Sequence, residues 1–398
     1  MEERPQVGIG PAEPTTEGAV SPERPTLRPV AFAFVVFGSF WGAWAVAVID
    51  IERTFDLSDA GLGLILAIGI LLAAAVNAVG GALTDRWGAG VALARAMVMW
   101  SALLVVVALA PVLGMFAVAF TLTMAAGGFV DVVMNVIAAA ALSERPGHLV
   151  RFHGLFNGGA VLGAAGTGLA LELGASWRIV WFGIAIFGIA VAVTSHRTRL
   201  TAPPSGDHPS LLRAIGGLRH EGLIVLAIVF AASAMIEGGI GTWGVLYLRG
   251  HLGVGVVAGV SAYVVGQGLA TLTRMAGGPA IGRLGIRRGV ALGAGVSGIG
   301  LALEALTNVA AVGAIGLALA CVGISVVWPL LIADVNNEAR HPALAIGGVT
   351  AAGYLGMVAG PPIVGVLSGV FDLTTGLIVL AATALFVAVT PAHVRRAA

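Results

Sequence analysis

The chain has 398 residues, 58% of them hydrophobic and only 10% charged, with a mean hydropathy of +0.99. A water-soluble domain carries about a quarter charged residues, so water is excluded as the main solvent. The formal net charge of +1 leaves no basic footprint for nucleic acid, and the single cysteine, Cys321, excludes an intrachain disulfide. All 21 basic residues are Arg, which points to genomic base composition rather than to chemistry. No Cys/His cluster has metal-ligand spacing, so no metal is expected.

Residues 1–28 are rich in Pro, Glu and Thr and lack an apolar run. They read as a disordered cytosolic tail, not a signal peptide. Beyond them the hydropathy pattern dominates. A hydrocarbon layer about 30 Å thick takes about 20 apolar helical residues to cross. That rule predicts spans at 29–50, 60–82, 91–110, 113–142, 149–173 and 176–195, then at 222–248, 255–281, 289–307, 310–334, 341–369 and 373–392. Residues 196–221, with Arg197, Arg199, Arg213, Arg219 and Pro203-Pro204, form a polar cytosolic linker. The expected organisation is a six-helix half (29–195), this linker, a second six-helix half (222–393) and a short cytosolic tail (394–398).

Arginine placement orients the chain. With the N-terminus inside, only Arg53, Arg178 and Arg249 fall in outer loops, Arg95 and Arg274 fall within spans, and all others are cytosolic. The positive-inside rule then puts both termini in the cytosol of a cytoplasmic (inner) membrane protein. Asp50, Asp56 and Asp59 fall in the first outer loop and receive no role. Trp87, Trp177 and Trp181 are expected in the interfacial belt.

The halves echo each other at an offset of 197 residues. Gly80, Gly81, Arg86 and Gly88 recur as Gly277, Gly278, Arg283 and Gly285, and Gly159, Gly163 and Gly168 as Gly356, Gly360 and Gly365. Small residues four apart let helix backbones approach closely in lipid. Two like-oriented membrane halves in tandem are a plan of secondary transporters, with the solute site between them near the midplane.

The segment Gly80-Gly-Ala-Leu-Thr-Asp-Arg-Trp-Gly88 resembles the loop motif between spans 2 and 3 of the major facilitator superfamily, and Gly277–Gly285 is its weaker second copy. The resemblance implies that fold, and a gating role for Gly81, Asp85, Arg86, Gly88 and Arg283. Ala89 and Gly90 stand where the family usually has basic residues, and Gly282 replaces the acid of the second copy. A narrower likeness is to the branch containing the bacterial L-fucose–proton symporter. It is carried by Asp131-Val-Val-Met-Asn135, His153-Gly-Leu-Phe-Asn157, Glu237-Gly-Gly-Ile-Gly-Thr-Trp243 and Gly353-Tyr-Leu-Gly-Met-Val-Ala-Gly-Pro-Pro362. It implies uptake of a sugar-like compound. The Gly-Pro signature of drug exporters in span 5 is replaced by Gly163-Ala164.

The residues themselves suggest a site. An ionised carboxylate near mid-bilayer costs several kcal/mol unless paired or protonated, which singles out Asp131 in span 4 and Glu237 in span 7 as proton-coupling candidates. Asn135, one turn from Asp131, joins Asn157 and His153 of span 5 in a polar wall. Trp243, Gln267, Trp328 and Tyr354 are candidate solute-binding groups of the second half. Arg274 is expected to snorkel or to pair with an acid. No nucleophile–base pair stands out, so no catalytic residue and no enzyme activity are expected. The expected function is proton-coupled alternating access for a small polar solute, by a monomer in the lipid bilayer. It uses no cofactor and draws on the proton gradient. A proton-driven exporter of an amphipathic compound is the alternative, and a non-transporting receptor a third.

Overall fold

The computed structural model describes residues 27–142, 146–198, 218–219, 222–276, 283–339 and 342–390. The predicted tails and nearly all of the linker lie outside the described residues. Among the described residues thirteen long helices follow one another: α1 (Arg28–Phe55), α2 (Asp59–Trp87), α3 (Ala89–Leu109), α4 (Leu113–Leu142), α5 (Pro146–Glu172), α6 (Trp177–Arg197), α7 (Ile224–Gly250), α8 (Val256–Ala276), α9 (Ile286–Leu306), α10 (Ala310–Ser325), α11 (Val327–Glu338), α12 (Pro342–Val370) and α13 (Leu373–Val389). Among the described residues eleven stretches are long and apolar enough to cross a membrane, and α13 is a shorter apolar helix. The fold is the all-α membrane architecture expected from hydropathy.

One predicted span is two helices. The run 310–334 breaks at Val326, between α10 and α11. Proline explains it. Pro329 has no N–H to offer the carbonyl four residues back, so Ser325 O is left without its helical donor. Arg274 Nε takes that carbonyl at 2.7 Å.

Packing repeats as the sequence does. In the first set α1 lies on α5, α2 on α4 and α3 on α6; in the second, α7 lies on α12, α8 on α10 and α9 on α13. The repeated glycines make the tightest of these crossings. A Cβ at Gly159 or Gly163 would collide with the α1 carbonyls of Val35 or Ser39, and one at Gly356 or Gly360 with the α7 carbonyls of Ala231 or Met235. Lipid gives helices no hydrophobic reason to associate, so backbone contact of this kind supplies the attraction.

The motif glycines Gly88 and Gly285 have φ of +78° and +80°, and each sits immediately before the next helix. That left-handed conformation strains any residue with a Cβ, which accounts for both glycines.

The first set is further filled by aromatic side chains. Phe40, Trp44, Trp100, Phe116, Phe120 and Trp181 are fully buried, with Trp44 stacked on Phe120 at 4.7 Å between centroids. Trp177 and Trp181 are therefore core residues, not belt residues: they contact each other edge to face at 4.9 Å and pack on Phe116 and Phe120. Trp87 is half-buried against Phe129, with Arg95 lying 4.6 Å over its ring.

Candidate functional site

The two helix sets meet along α2–α12, α5–α8 and α1–α7. Their closest approaches gather at the end of the bundle that carries the α1–α2 turn. There Gly63 faces Gly365, Gly168 faces Val260, Gly369 faces Ala60 and Gly250 faces Ile49. Arg249 of α7 pairs with Asp50 of α1 at 2.7 Å and also donates to Val46 O at 2.9 Å. Asp59 accepts a hydrogen bond from Ser368 of α12, and the Glu52 carboxyl lies within reach of Asp59. Asp50 and Asp59 thus belong to a seam that closes this end of the molecule, which corrects their reading as idle loop acids.

Deeper in, α4 turns Asp131 toward the second set. Asn135 sits one turn on, and its Nδ2 donates to Asp131 Oδ1 at 3.0 Å and to Asp131 O at 2.9 Å. The Tyr354 hydroxyl of α12 comes within interaction reach of the same carboxyl from across the interface. Tyr354 is exposed, and its ring meets Trp328 edge to face at 6.4 Å; Trp328 in turn packs on Phe230 at 4.3 Å. The result is a carboxyl with two neutral donors, one from each helix set, beside a small aromatic wall.

A second polar group lies within the second set. Glu237 Oε1 of α7 meets Arg274 Nη2 of α8 at 3.3 Å, and the same guanidinium holds the Ser325 carbonyl freed by Pro329. Both side chains remain partly exposed, at 25% for Arg274 and 34% for Glu237, so the pair borders open space instead of being sealed. Gln267 is half-buried, its carbonyl accepts from the Thr271 hydroxyl one turn on, and its side chain lies within interaction reach of buried Tyr263, which is within electrostatic range of Glu237. Gly238 packs on the Met357 carbonyl, which Pro361 leaves without a helical donor.

The remaining candidates divide. Trp243 is fully buried and its Nε1 donates to Pro361 O at 3.1 Å, so it braces α12 and does not face open space. Asn157 is half-buried on α5 beside Gly158, where an added Cβ would meet nothing. The side chains of His153 and Asp85 and the surroundings of Gly81 lie outside the described residues. Arg86 and Arg283 are exposed at the ends of their motif segments, next to Gly88 and Gly285. Among the described residues no group of three or more His, Cys, Asp or Glu gathers as a metal cage. An apolar groove of about 300 Å³ between α5 and α8, lined by Gly168, Leu169, Val260 and Val264, lies apart from Asp131 and Glu237.

Two parts of the site escaped the sequence. Tyr263 reads as one more apolar-span aromatic. Arg274 pairs with an acid, one of the two fates expected of it, and that acid is 37 residues away on another helix. Glu304, an acid within an apolar run, carries the same signal as Asp131 and Glu237 but lies outside this site.

Residues 30–347 match the family model of the Major Facilitator Superfamily. The chain belongs to that superfamily. Within it, the chain is 28% identical over 373 residues to an uncharacterized MFS-type transporter of Yersinia pestis, covering 92% of this chain and 94% of that protein. It is 26% identical over 368 residues to the membrane protein MosC of Rhizobium meliloti, covering 91% and 88%. Solved structures share the fold at low identity. The nucleoside transporter NupG superposes with a TM-score of 0.72 at 13% identity, covering 92% of this chain and 98% of that one. The xylose transporter XylE from E. coli, in a partially occluded inward-open conformation, gives 0.69 at 15%, covering 91% and 95%. The superfamily member described here is a multi-pass membrane transporter, and family and relatives indicate transport rather than enzymatic turnover.

Proposed function

We propose that this superfamily member moves a small, hydroxyl-bearing polar solute by proton-coupled alternating access, with Asp131 as the coupling acid. The observation that carries the reading is the Asp131 carboxyl bonded to Asn135 of its own helix, with the Tyr354 hydroxyl of the opposing set within reach of it. Its partners are neutral, so an ionised Asp131 is costly to enclose, and taking up a proton relieves that cost. Glu237 differs because Arg274 already balances its charge. It serves as a polar contact for solute together with Arg274 and Gln267. Solute hydroxyls can replace the Tyr354 hydroxyl at Asp131 and stack their apolar face on Trp328. The solute class rests on this donor and acceptor set and on the likeness to the L-fucose symporter branch.

The closed Asp50–Arg249 seam supports a conformation open toward the opposite end. With both termini cytosolic in the inner membrane, as the arginine bias favours, that is the inward-facing state. The gating motifs at Gly88 and Gly285 lie at the same inner end, and the proton gradient is the energy source of a carrier that works as a monomer without cofactor.

Reconstitution tests this. Purified protein in liposomes carrying an internal pH-sensitive dye is screened with sugars, polyols and amphipathic compounds under an imposed proton gradient. Proton entry triggered by a hydroxylated solute and lost in Asp131→Asn is the expected result. Proton movement that persists in Asp131→Asn overturns the assignment of the coupling acid. A response to amphipathic compounds alone overturns the solute class.

A further inference from the structure

Glu304 stands apart from everything above. It lies close to the end of α9, is fully buried, and neither carboxyl oxygen has a hydrogen-bond partner among the described residues. It cannot withdraw to water, because α9 and α10 cross there in backbone contact. A Cβ on Gly316 would sit 2.7 Å from Glu304 N, and one on Gly300 2.5 Å from Gly316 O. An unpaired buried carboxylate costs several kcal/mol, so in this arrangement the group holds a proton.

A polar file runs to the surface from the carbonyl of Ala305, its neighbour in the chain. Ala305 O accepts a hydrogen bond at 2.9 Å from the Tyr247 hydroxyl, which is also 3.2 Å from Thr374 Oγ1. The Tyr247 ring stacks on exposed His251 at 4.7 Å, and exposed Asp372 lies within electrostatic range of both. Tyr247 is likewise within electrostatic range of Glu304. The titratable or charged groups around Glu304 are therefore Tyr247 of α7, Cys321 of α10, and His251 and Asp372 at the mouth. Cys321 is in electrostatic range of Glu237 too.

We propose that Glu304 is a second proton-binding site, loaded from the α7–α8 end of the molecule through Tyr247. A proton leaves hydronium at the His251–Asp372 mouth and ends on a Glu304 carboxylate oxygen, with nothing else consumed. The site does not depend on Asp131 being the coupling acid, and its readout is protonation itself.

Infrared difference spectroscopy of the full chain in lipid tests the site. The expected result is a protonated-carboxyl C=O stretch that vanishes in Glu304→Gln, persists in Asp131→Asn, and falls as the medium is made alkaline. In Tyr247→Phe the band should respond to a pH jump more slowly, by about tenfold or more. A band present in wild type, absent in Glu304→Gln and insensitive to pH would make Glu304 a permanently neutral packing group and overturn the proposal. An unchanged response in Tyr247→Phe would overturn the route. Glu304→Asp, which should shift the band without removing it, serves where Glu304→Gln does not fold.

Discussion

Asp131 depends on its two donors, and each can be removed separately. Tyr354→Phe deletes a hydroxyl to a carboxyl group, an interaction worth about 1.5–3 kcal/mol when the partner is charged. On the proposed mechanism, proton-coupled transport by this variant falls by about tenfold or more, measured as initial rates in proteoliposomes. Asn135→Ala should act in the same direction, whereas Trp243→Phe, which loses only the bond to Pro361 O, should lower stability and leave pH dependence in place. Asp131 and Glu237 were legible in the sequence because an acid in an apolar span is expensive wherever it lies. Their partners were not. Spacing along one helix shows Asn135 beside Asp131, but nothing local brings Tyr354 across to Asp131, or Arg274 to Glu237. Glu304 was equally visible and was missed because no motif string surrounds it.

Helices here are shaped by glycine and proline more than by propensity. Gly356→Leu and Gly159→Leu each force a side chain onto a neighbouring backbone, so each should cost about 1–3 kcal/mol and lower the unfolding temperature in detergent. Gly158→Ala, with open space around it, should be neutral. Pro329→Ala restores a donor to Ser325 O, which competes with Arg274 for that carbonyl. The expected outcome is a straighter α10–α11 and a looser Glu237–Arg274 pair, read as a weakened solute dependence of transport with folding intact. At the opposite end of the second set, Asp372 caps α13 by accepting from the Thr375 amide at 2.6 Å, and that bond holds its carboxyl below the ordinary 3.8. A lowered value in the folded state means the cap contributes fully above the ordinary value and is lost as pH falls through the folded one. Hydrogen exchange at the first turn of α13 should therefore speed up only in strong acid. The repeat at 197 residues foretold the crossings, since Gly159/Gly163 and Gly356/Gly360 occupy matching contacts. The break at Val326 was equally encoded in Pro329, but a window of hydropathy averages over it.

At the scale of the molecule, the seam at the α1–α2 end decides which side is shut. Arg249 is nearly inaccessible, so Asp50→Asn leaves a buried guanidinium with only the Val46 carbonyl, a change that typically costs about 3–5 kcal/mol. A loss of that size is enough to move a two-state equilibrium most of the way across. Spin-label distances between the C-terminal ends of α1 and α7 should lengthen in Asp50→Asn, and unchanged distances would show that the glycine contacts at Gly63 and Gly365 hold the seam alone. The sequence located twelve crossings and the repeat, yet placed Asp50 and Asp59 in a loop. Membrane span ends are blurred by several residues, and these acids lie within that blur. The same two ion pairs have an electrical consequence. Asp50 cancels Arg249 and Glu237 cancels Arg274, so whichever way the sets rock while those pairs stay joined, they drag almost no net charge through the membrane field. A potential of 100 mV does about 2.3 kcal/mol of work on each uncompensated charge. On the proposed mechanism the charge that changes during transport is the Asp131 carboxylate, and a bound proton erases it. The loaded half of the cycle should therefore ignore voltage, and the empty return should follow it.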